Sequence, residues 1–354
     1  MSDQNISQRL KTIAALYSWV GWIAYIFPFI PKYFVNKVLA QITGYKGRAE
    51  GVYFSPFSMN IRLKGLVLDI IDEQTRQKYC LLSAQEIVIS MNKKSFSGGE
   101  IQGAIKIIAP TFTFSNSSAK AVKDNMGSGN PLYSMNAGVN ITIQDIEIQK
   151  GKIIIIDSSV KPEVMIEGNN ISLAASDIHI AKNADYTFPA KIYVSADICE
   201  GRIDAKMEVK LQSRMPDFYL EAGVRDIKMP CLNNAFLAYG GFDIHKGIMT
   251  MHSEITAKDG RFKGYVESLI SDLEMRGPED NHDSLAKRLR EILIGGVMDL
   301  LEDHSTDELN TKIKFDKSFK NPEVHILLAV LEVLANALVH GLSPYTKNKV
   351  QINL

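Results

Sequence analysis

Signatures of catalysis are missing from this sequence. It has no HExxH, no GxSxG, no Walker lysine loop and no GxGxxG after a strand, so the enzymes that carry such motifs are not indicated. Carboxylates are plentiful, but nothing singles out an acid/base pair, and a non-enzymatic protein is expected. Excess charge is missing as well. The 40 basic and 40 acidic side chains cancel, and no block of five like charges occurs, which gives no reason to expect a nucleic-acid partner, a polybasic arm or an acidic tail. Cysteine is scarce. Cys80, Cys199 and Cys231 lie far apart and form no CxxC; they cannot all pair with one another, and three unlinked thiols are the expected state, with a single disulfide left open. The 7 histidines are scattered. His245 and His252 flank one predicted hairpin without a third ligand nearby, so neither metal nor cofactor is expected.

Charge is also absent from one continuous stretch, Thr12 to Pro31, fenced by Lys11 and Lys32. As a helix, about 20 residues span roughly 30 Å, the thickness of a bilayer's hydrocarbon core. Residues 12–31 are therefore expected to be a transmembrane anchor, with Leu16, Trp19, Trp22 and Ile26 facing lipid, after a polar N-terminus at 1–11. A buried core helix and an amphipathic surface helix are the alternatives. Pro28 and Pro31 suit the exit end of such a helix, and no small-residue cleavage site follows. Basic residues after the span (Lys32, Lys37, Lys46, Arg48) outnumber those before it (Arg9, Lys11). That count alone would place the body in the cytoplasm, but the rule is weak when a long domain follows.

Residues 32–47 read as a short helical connector, with Phe34, Val35, Val38, Leu39 and Ile42 near helical spacing before Gly44 and Gly47. From residue 48 to 354 the apolar period becomes two, the mark of half-buried strands. SMNIRLK alternates Met59, Ile61 and Leu63 with polar residues, and Gly65 turns it into a second run. GGEIQGAIKIIAPTFTF carries Ile105 and Ile107, then Phe112 and Phe114, with Pro110 suggesting an edge or a bulge. Residues 115–138 are rich in Ser, Asn, Gly and Lys and read as a long surface loop. ITIQDIEIQKGKIIIIDSS, with Ile141 and Ile143, reads as two strands about a Lys-Gly turn, and PEVMIEGNNISLAASDIHI as two more. KIYVSADI follows. In GRIDAKMEVKLQ, Ile203, Met207 and Val209 face one way and charged residues the other. DIHKGIMTMHSEI places Met249 and Met251 in the same manner. A loose internal repetition links QDIEIQKGKIIIID with FDIHKGIMTMHSE, each an Asp-Ile, a glycine turn and an alternating strand. Helices are predicted near 284–303 and 323–341, with a strand between them.

The fold class is mostly β: an N-terminal transmembrane helix, then an elongated, curled antiparallel sheet with two late α-helices. A dozen or more one-sided strands leave an apolar face that few helices could cover. Either the sheet folds on itself as a sandwich, or it stays open as a trough for an apolar ligand. About fourteen strands at ~4.8 Å make it on the order of 70 Å long.

The order of motifs resembles the bacterial AsmA-like family. PKYFVNKVLAQITGYKGRAEGVYFSPFSMNIRLKGLVLDI is similar to that family's opening, with Ser55 where the family usually has asparagine. GKIIIIDSSVKPEV, LNNAFLAYGGFDIHKGIMTMHSEITAKDGRFKGYVESLISDLEM and FKNPEVHILLAVLEVLANALVHGLSP resemble the body and C-terminal end of a compact branch. The resemblance spans nearly the whole chain. It implies a bacterial inner-membrane, single-pass protein whose N-terminus is cytoplasmic and whose body is periplasmic. It further implies phospholipid acyl chains as partners, held or transferred in an apolar β-trough for envelope maintenance and outer-membrane biogenesis, with envelope proteins as further partners. Family members that bridge the envelope are far longer. The expected lipid-binding face comprises the fourteen positions Met59, Ile61, Leu63, Ile105, Ile107, Phe112, Phe114, Ile141, Ile143, Ile203, Met207, Val209, Met249 and Met251. The alternative function is a non-enzymatic assembly scaffold for outer-membrane proteins with a closed β core.

Overall fold

The computed structural model describes residues 29–40, 45–55, 58–71, 78–92, 100–115, 140–180, 189–210, 217–240, 243–276, 298–299 and 308–319. Most of the uncharged stretch and nearly all of both late predicted helices lie outside these residues. Among the described residues no helix is long and apolar enough to cross a membrane.

The described part opens with helix α1 (Phe29–Ala40) and continues as strands β1 (Tyr45–Ser55), β2 (Asn60–Ile71), β3 (Lys78–Met91), β4 (Glu100–Ser115), β5 (Asn140–Asp157), β6 (Val164–Ile180), β7 (Ala190–Ile198), β8 (Gly201–Val209) and β9 (Phe218–Lys228). A short helical segment, 229–240, leads to β10 (Asp243–Lys258) and β11 (Arg261–Arg276), followed by β12 (Met298–Asp299) and β13 (Glu308–Ser318). They form one continuous 13-stranded sheet in near-sequential order, with only β12 and β13 exchanged. Among the described residues there are not two packed sheets, and the end strands do not pair to close a barrel. At ~4.8 Å per strand the sheet is roughly 60 Å across. Every pairing is antiparallel except β4 with β5, which run parallel, a departure from the uniform hairpin rule that the repeated sequence pattern suggests. At Met298–Asp299, inside the first late predicted helix, the backbone instead pairs with β13.

Many strands are longer than the usual 5–6 residues, because glycine-containing "turns" in the sequence are β-bulges inside unbroken strands. Gly65 (φ 57) lies within β2, Ala109 (φ 47) beside Pro110 within β4, Lys150 (φ 54) within β5, Asn170 (φ 51) within β6, Asp226 (φ 56) within β9, Gly247 (φ 153) within β10 and Asp272 (φ 54) within β11. The pairings set Gly65, Ala109 and Lys150 level with one another across β2 to β5, forming a bulge seam there, and set Gly247 level with Asp272 across β10 and β11. The register breaks between Ile148 and Gly151 and between Lys246 and Ile248 mark these places directly. Each bulge shifts the alternation by one residue. Leu63 and Leu66, three apart, thereby join one apolar cluster, and Val224 and Ile227 join another. The two Lys-Gly segments of the loose internal repetition are equivalent bulges in β5 and β10, not hairpin turns.

Helix α1 lies against the free edge of the sheet. Val35 and Leu39 pack on the cluster formed by Val52, Leu63, Leu66 and Ile87. A Cβ at Gly47 would stand 2.8 Å from the Leu39 Cβ, so glycine permits this approach. The Asn36 carboxamide accepts a hydrogen bond from the Ala49 N–H (2.7 Å) and donates one to the Ala49 carbonyl (3.1 Å). It acts as a surrogate strand on β1, whose edge would otherwise be open to pairing. Pro31 lies within α1.

The expectation of three unlinked thiols is overturned for two of them. Cys199, in the β7–β8 turn, is disulfide-bonded to Cys231 in the helical segment, with Cα atoms 5.6 Å apart. These residues are distant in sequence but converge where the segment folds back over the sheet. Cys80 is free and exposed.

Two outcomes follow. Ala109→Gly is expected to be neutral to stabilising, since left-handed geometry costs a non-glycine residue about 1–2 kcal/mol, whereas Ala109→Val loses about 1–3 kcal/mol; urea unfolding of both variants measures this. Replacing both Cys199 and Cys231 by Ser is expected to remove about 3–4 kcal/mol, the loop-closure contribution for a separation of 32 residues, read as a lower unfolding midpoint that reductant does not shift further.

Candidate functional site: one apolar face of the sheet

Directly paired residues in a sheet project to the same face, so the registers trace the surface strand by strand. One line of partners runs Val52, Leu63, Ile87, Ile107, Ile148, Leu173, Val194, Ala205, Ala222, Ser253, Val266. It crosses every strand from β1 to β11, and its only polar member is Ser253. That hydroxyl donates to the Tyr265 carbonyl at 2.9 Å, so its polarity is satisfied internally. A neighbouring line runs Phe54, Ile61, Ile89, Ile105, Ile146, Ala175, Ile192, Met207, Leu220, Ile255, Gly264 and on to Phe315 of β13.

The opposite face is charged. Its matching line includes Arg62, Lys106, Glu147, Tyr193, Lys206, Glu221, Glu254, Tyr265 and Lys314. Arg62 meets Glu86 at 3.0 Å, Lys106 meets Glu147 at 3.1 Å, and Lys152 meets Glu167 at 2.8 Å. Exposed pairs of this kind contribute about 0–1 kcal/mol each; their meaning is that this face is solvated. Hydrogen bonds from Lys106 and then Gln149 hold the Glu147 carboxyl below its ordinary range. Tyr265 is pushed up to about 12, first by desolvation and then by the hydrogen bond it shares with Glu254, and the Lys312 ammonium sits 3.8 Å from its ring centroid. A recess of about 600 Å³ on this face spans β3 to β7 and is lined by Ser90, Lys106, Asp145, Glu147, Lys191 and Tyr193, among others. Among the described residues no three His, Cys, Asp or Glu side chains gather as metal ligands. His245 and His252 both lie on β10.

Burial divides the apolar face. From β8 to β11 it is closed: Val209, Phe218, Leu220, Ile255 and Phe262 are buried together, and Phe319 returns onto Phe262 with ring centroids 4.9 Å apart. Met229 and Phe236 of the helical segment cover the adjoining cluster of Ile227, Ile244, Met249, Met251, Val266 and Ile270. The Asn234 side chain donates to the Glu163 carbonyl at 3.0 Å, so this segment reaches as far as the β5–β6 turn. From β3 to β7 the same face is mixed: Ile87, Ile148, Ala175, Ile178 and Ala190 are buried, whereas Ile89, Ile105, Ile107, Ile146, Leu173, Ile192 and Val194 are only half-buried, as are Ala205 and Met207 on β8.

Most of the fourteen expected positions fall into this arrangement. Ile61, Leu63, Ile105, Ile107 and Met207 lie on the two lines. Phe112 and Phe114 lie beyond the bulge of β4, opposite Ile153 and Ile155. Ile143 packs beside Ile178 in the cluster that Met207 and Val209 also join. Ile203 pairs with Ala196 and Val224, while Met249 and Met251 are buried. Ile141 is placed by backbone register only, between Ile101 and Ile180. Met59 is the exception. It sits in the β1–β2 turn with φ 52, where its carbonyl accepts from the Met91 N–H at 3.0 Å, so the alternation that seemed to begin at Met59 begins one residue later. The half-open residues Ile89, Ile146, Leu173, Ile192 and Val194 were not among the expected positions; their period-two runs carried the signal, but strand neighbours were needed to align them.

No protein-family model matches this chain, and no curated protein matches it.

A charge placed on each half separates them. Leu220→Asp is expected to unfold the domain, since an unpaired buried carboxylate costs several kcal/mol, whereas Ile105→Asp is expected to lower stability by about 1–2 kcal/mol and leave the fold cooperative; circular dichroism during urea titration checks both.

Proposed function

We propose that this protein is anchored in a bacterial inner membrane by residues 12–31 and holds phospholipid acyl chains on the apolar face of its sheet, in the manner of the AsmA-like family it resembles. The observation that carries this reading is the apolar line across eleven strands, interrupted only by Ser253, partly open between β3 and β7 and backed by a face rich in charged side chains. A surface of that kind suits a long apolar ligand. It offers burial of methylenes, worth about 0.8 kcal/mol each, with no fixed hydrogen-bonding partners, so a chain can occupy it at any position along the row and move between positions. The curled, trough-like form of the sheet belongs to the same reading.

The Cys199–Cys231 bond supports a periplasmic body, because such bonds persist in oxidising compartments. A sheet roughly 60 Å across would act over part of the envelope or together with other envelope components. Closure of the face between β8 and β11 favours a second reading, in which the sheet is a scaffold for envelope proteins and its apolar face is core throughout.

Neighbouring residues on opposite faces distinguish the two. With a photoreactive amino acid at position 105 or 194 of the full chain in intact cells, irradiation is expected to give phospholipid adducts, detected by mass spectrometry. The same label at 106 or 193, on the charged face, is expected to give none. Adducts to protein alone at 105 and 194 would overturn lipid binding in favour of the scaffold.

A further inference from the structure

Helix α1 has two unlike faces. Val35, Asn36 and Leu39 are turned to the sheet, where they pack on the first apolar cluster and bond to the β1 edge. Tyr33 and Phe34 point away from it. They are 66% and 59% exposed, the two most exposed large apolar side chains among the described residues, and their rings meet edge to face at 6.0 Å. One turn further along α1, Lys37 is exposed, and Lys46 and Arg48 are exposed at the start of β1.

Two features identify what covers this face. The chain immediately before it is the uncharged run of residues 12–31, and α1 begins within the last residues of that run. The order along the chain is thus an apolar span, then Lys32 and an aromatic pair, then further basic residues. That is the sequence of layers met on leaving a bilayer: hydrocarbon, an interface favoured by Tyr and other aromatic rings, and headgroup phosphates that attract Lys and Arg. We propose that α1 lies in the headgroup layer of the anchoring membrane, with Tyr33 and Phe34 inserted at the interface and Lys37 set against anionic headgroups. This rests on the anchor reading of residues 12–31.

Because Asn36 and Leu39 bind α1 firmly to β1, seating the helix also seats the sheet. The β1 edge and the cluster of Val52, Leu63 and Leu66 are held at the membrane surface, and the apolar face leads away from it strand by strand. A lipid leaving the bilayer would meet that end first, and α1, which covers it, would be the element to pass.

The test is nitroxide depth measurement on the full chain reconstituted in vesicles of phosphatidylethanolamine and phosphatidylglycerol. Cys80→Ser removes the free thiol, and single labels are introduced by Tyr33→Cys, Phe34→Cys, Tyr53→Cys and Ala24→Cys. The ratio of collision with oxygen to collision with a water-soluble nickel chelate is expected to be several-fold higher at 33 and 34 than at 53, an exposed position on β1. Equal ratios at 33, 34 and 53, with the label at 24 protected from nickel, would overturn the seating of α1 while leaving the anchor intact. A label at 24 as open to nickel as that at 53 would overturn the anchor, and this proposal with it.

Discussion

Everything in this domain depends on register. Thirteen strands lie in one layer, and a shift of one residue at any pairing would turn every side chain beyond it to the wrong face. A sandwich can correct such an error through its second sheet, but among the described residues there is none. The bulges show how the constraint is met. Strands of up to 18 residues are interrupted by left-handed residues at Gly65, Ala109, Lys150, Asn170, Asp226, Gly247 and Asp272, and each such bulge bends its strand and increases the local twist. Since each bulge offsets its strand by one residue, alternation changes phase together on the strands whose bulges are level, and the apolar face continues through them.

A single-layer sheet also has two exposed edges and one uncovered face. The β1 edge is blocked by a side chain. Asn36 presents one donor and one acceptor to Ala49, as an adjoining strand would. The uncovered face is dealt with unevenly. Between β8 and β11 the helical segment and Phe319 close it, and the Cys199–Cys231 bond ties that segment to the β7–β8 turn. Between β3 and β7 it is left half-open, and the proposed lipid site lies there. In this reading the buried half supplies the stability that allows the open half to remain open.

Much of the design was legible in the chain itself. Period-two alternation from residue 48 onward announced a sheet with one apolar face, and runs such as Ile203, Ala205, Met207 and Val209 carried it without ambiguity, because alternation is a local property of each strand. The charged face was equally plain. Strand ends were less so. Lys150–Gly151 and Lys246–Gly247 read as hairpin turns, yet both lie inside continuous strands. A hairpin turn and a bulge ask for the same left-handed residue, and the difference lies in which strand comes to pair beyond it.

Pairing between distant segments was decided elsewhere. That β4 and β5 run parallel, that Cys199 reaches Cys231, that Met59 turns out of its strand and that the apolar face is closed at one end and open at the other all depend on groups far apart along the chain being brought to within a few ångströms. No local pattern encodes such distances. Hydrophobic periodicity settles which way a side chain faces, because it is a matter of successive backbone torsions. What that side chain meets is a matter of neighbours, and neighbours exist only once the sheet has assembled.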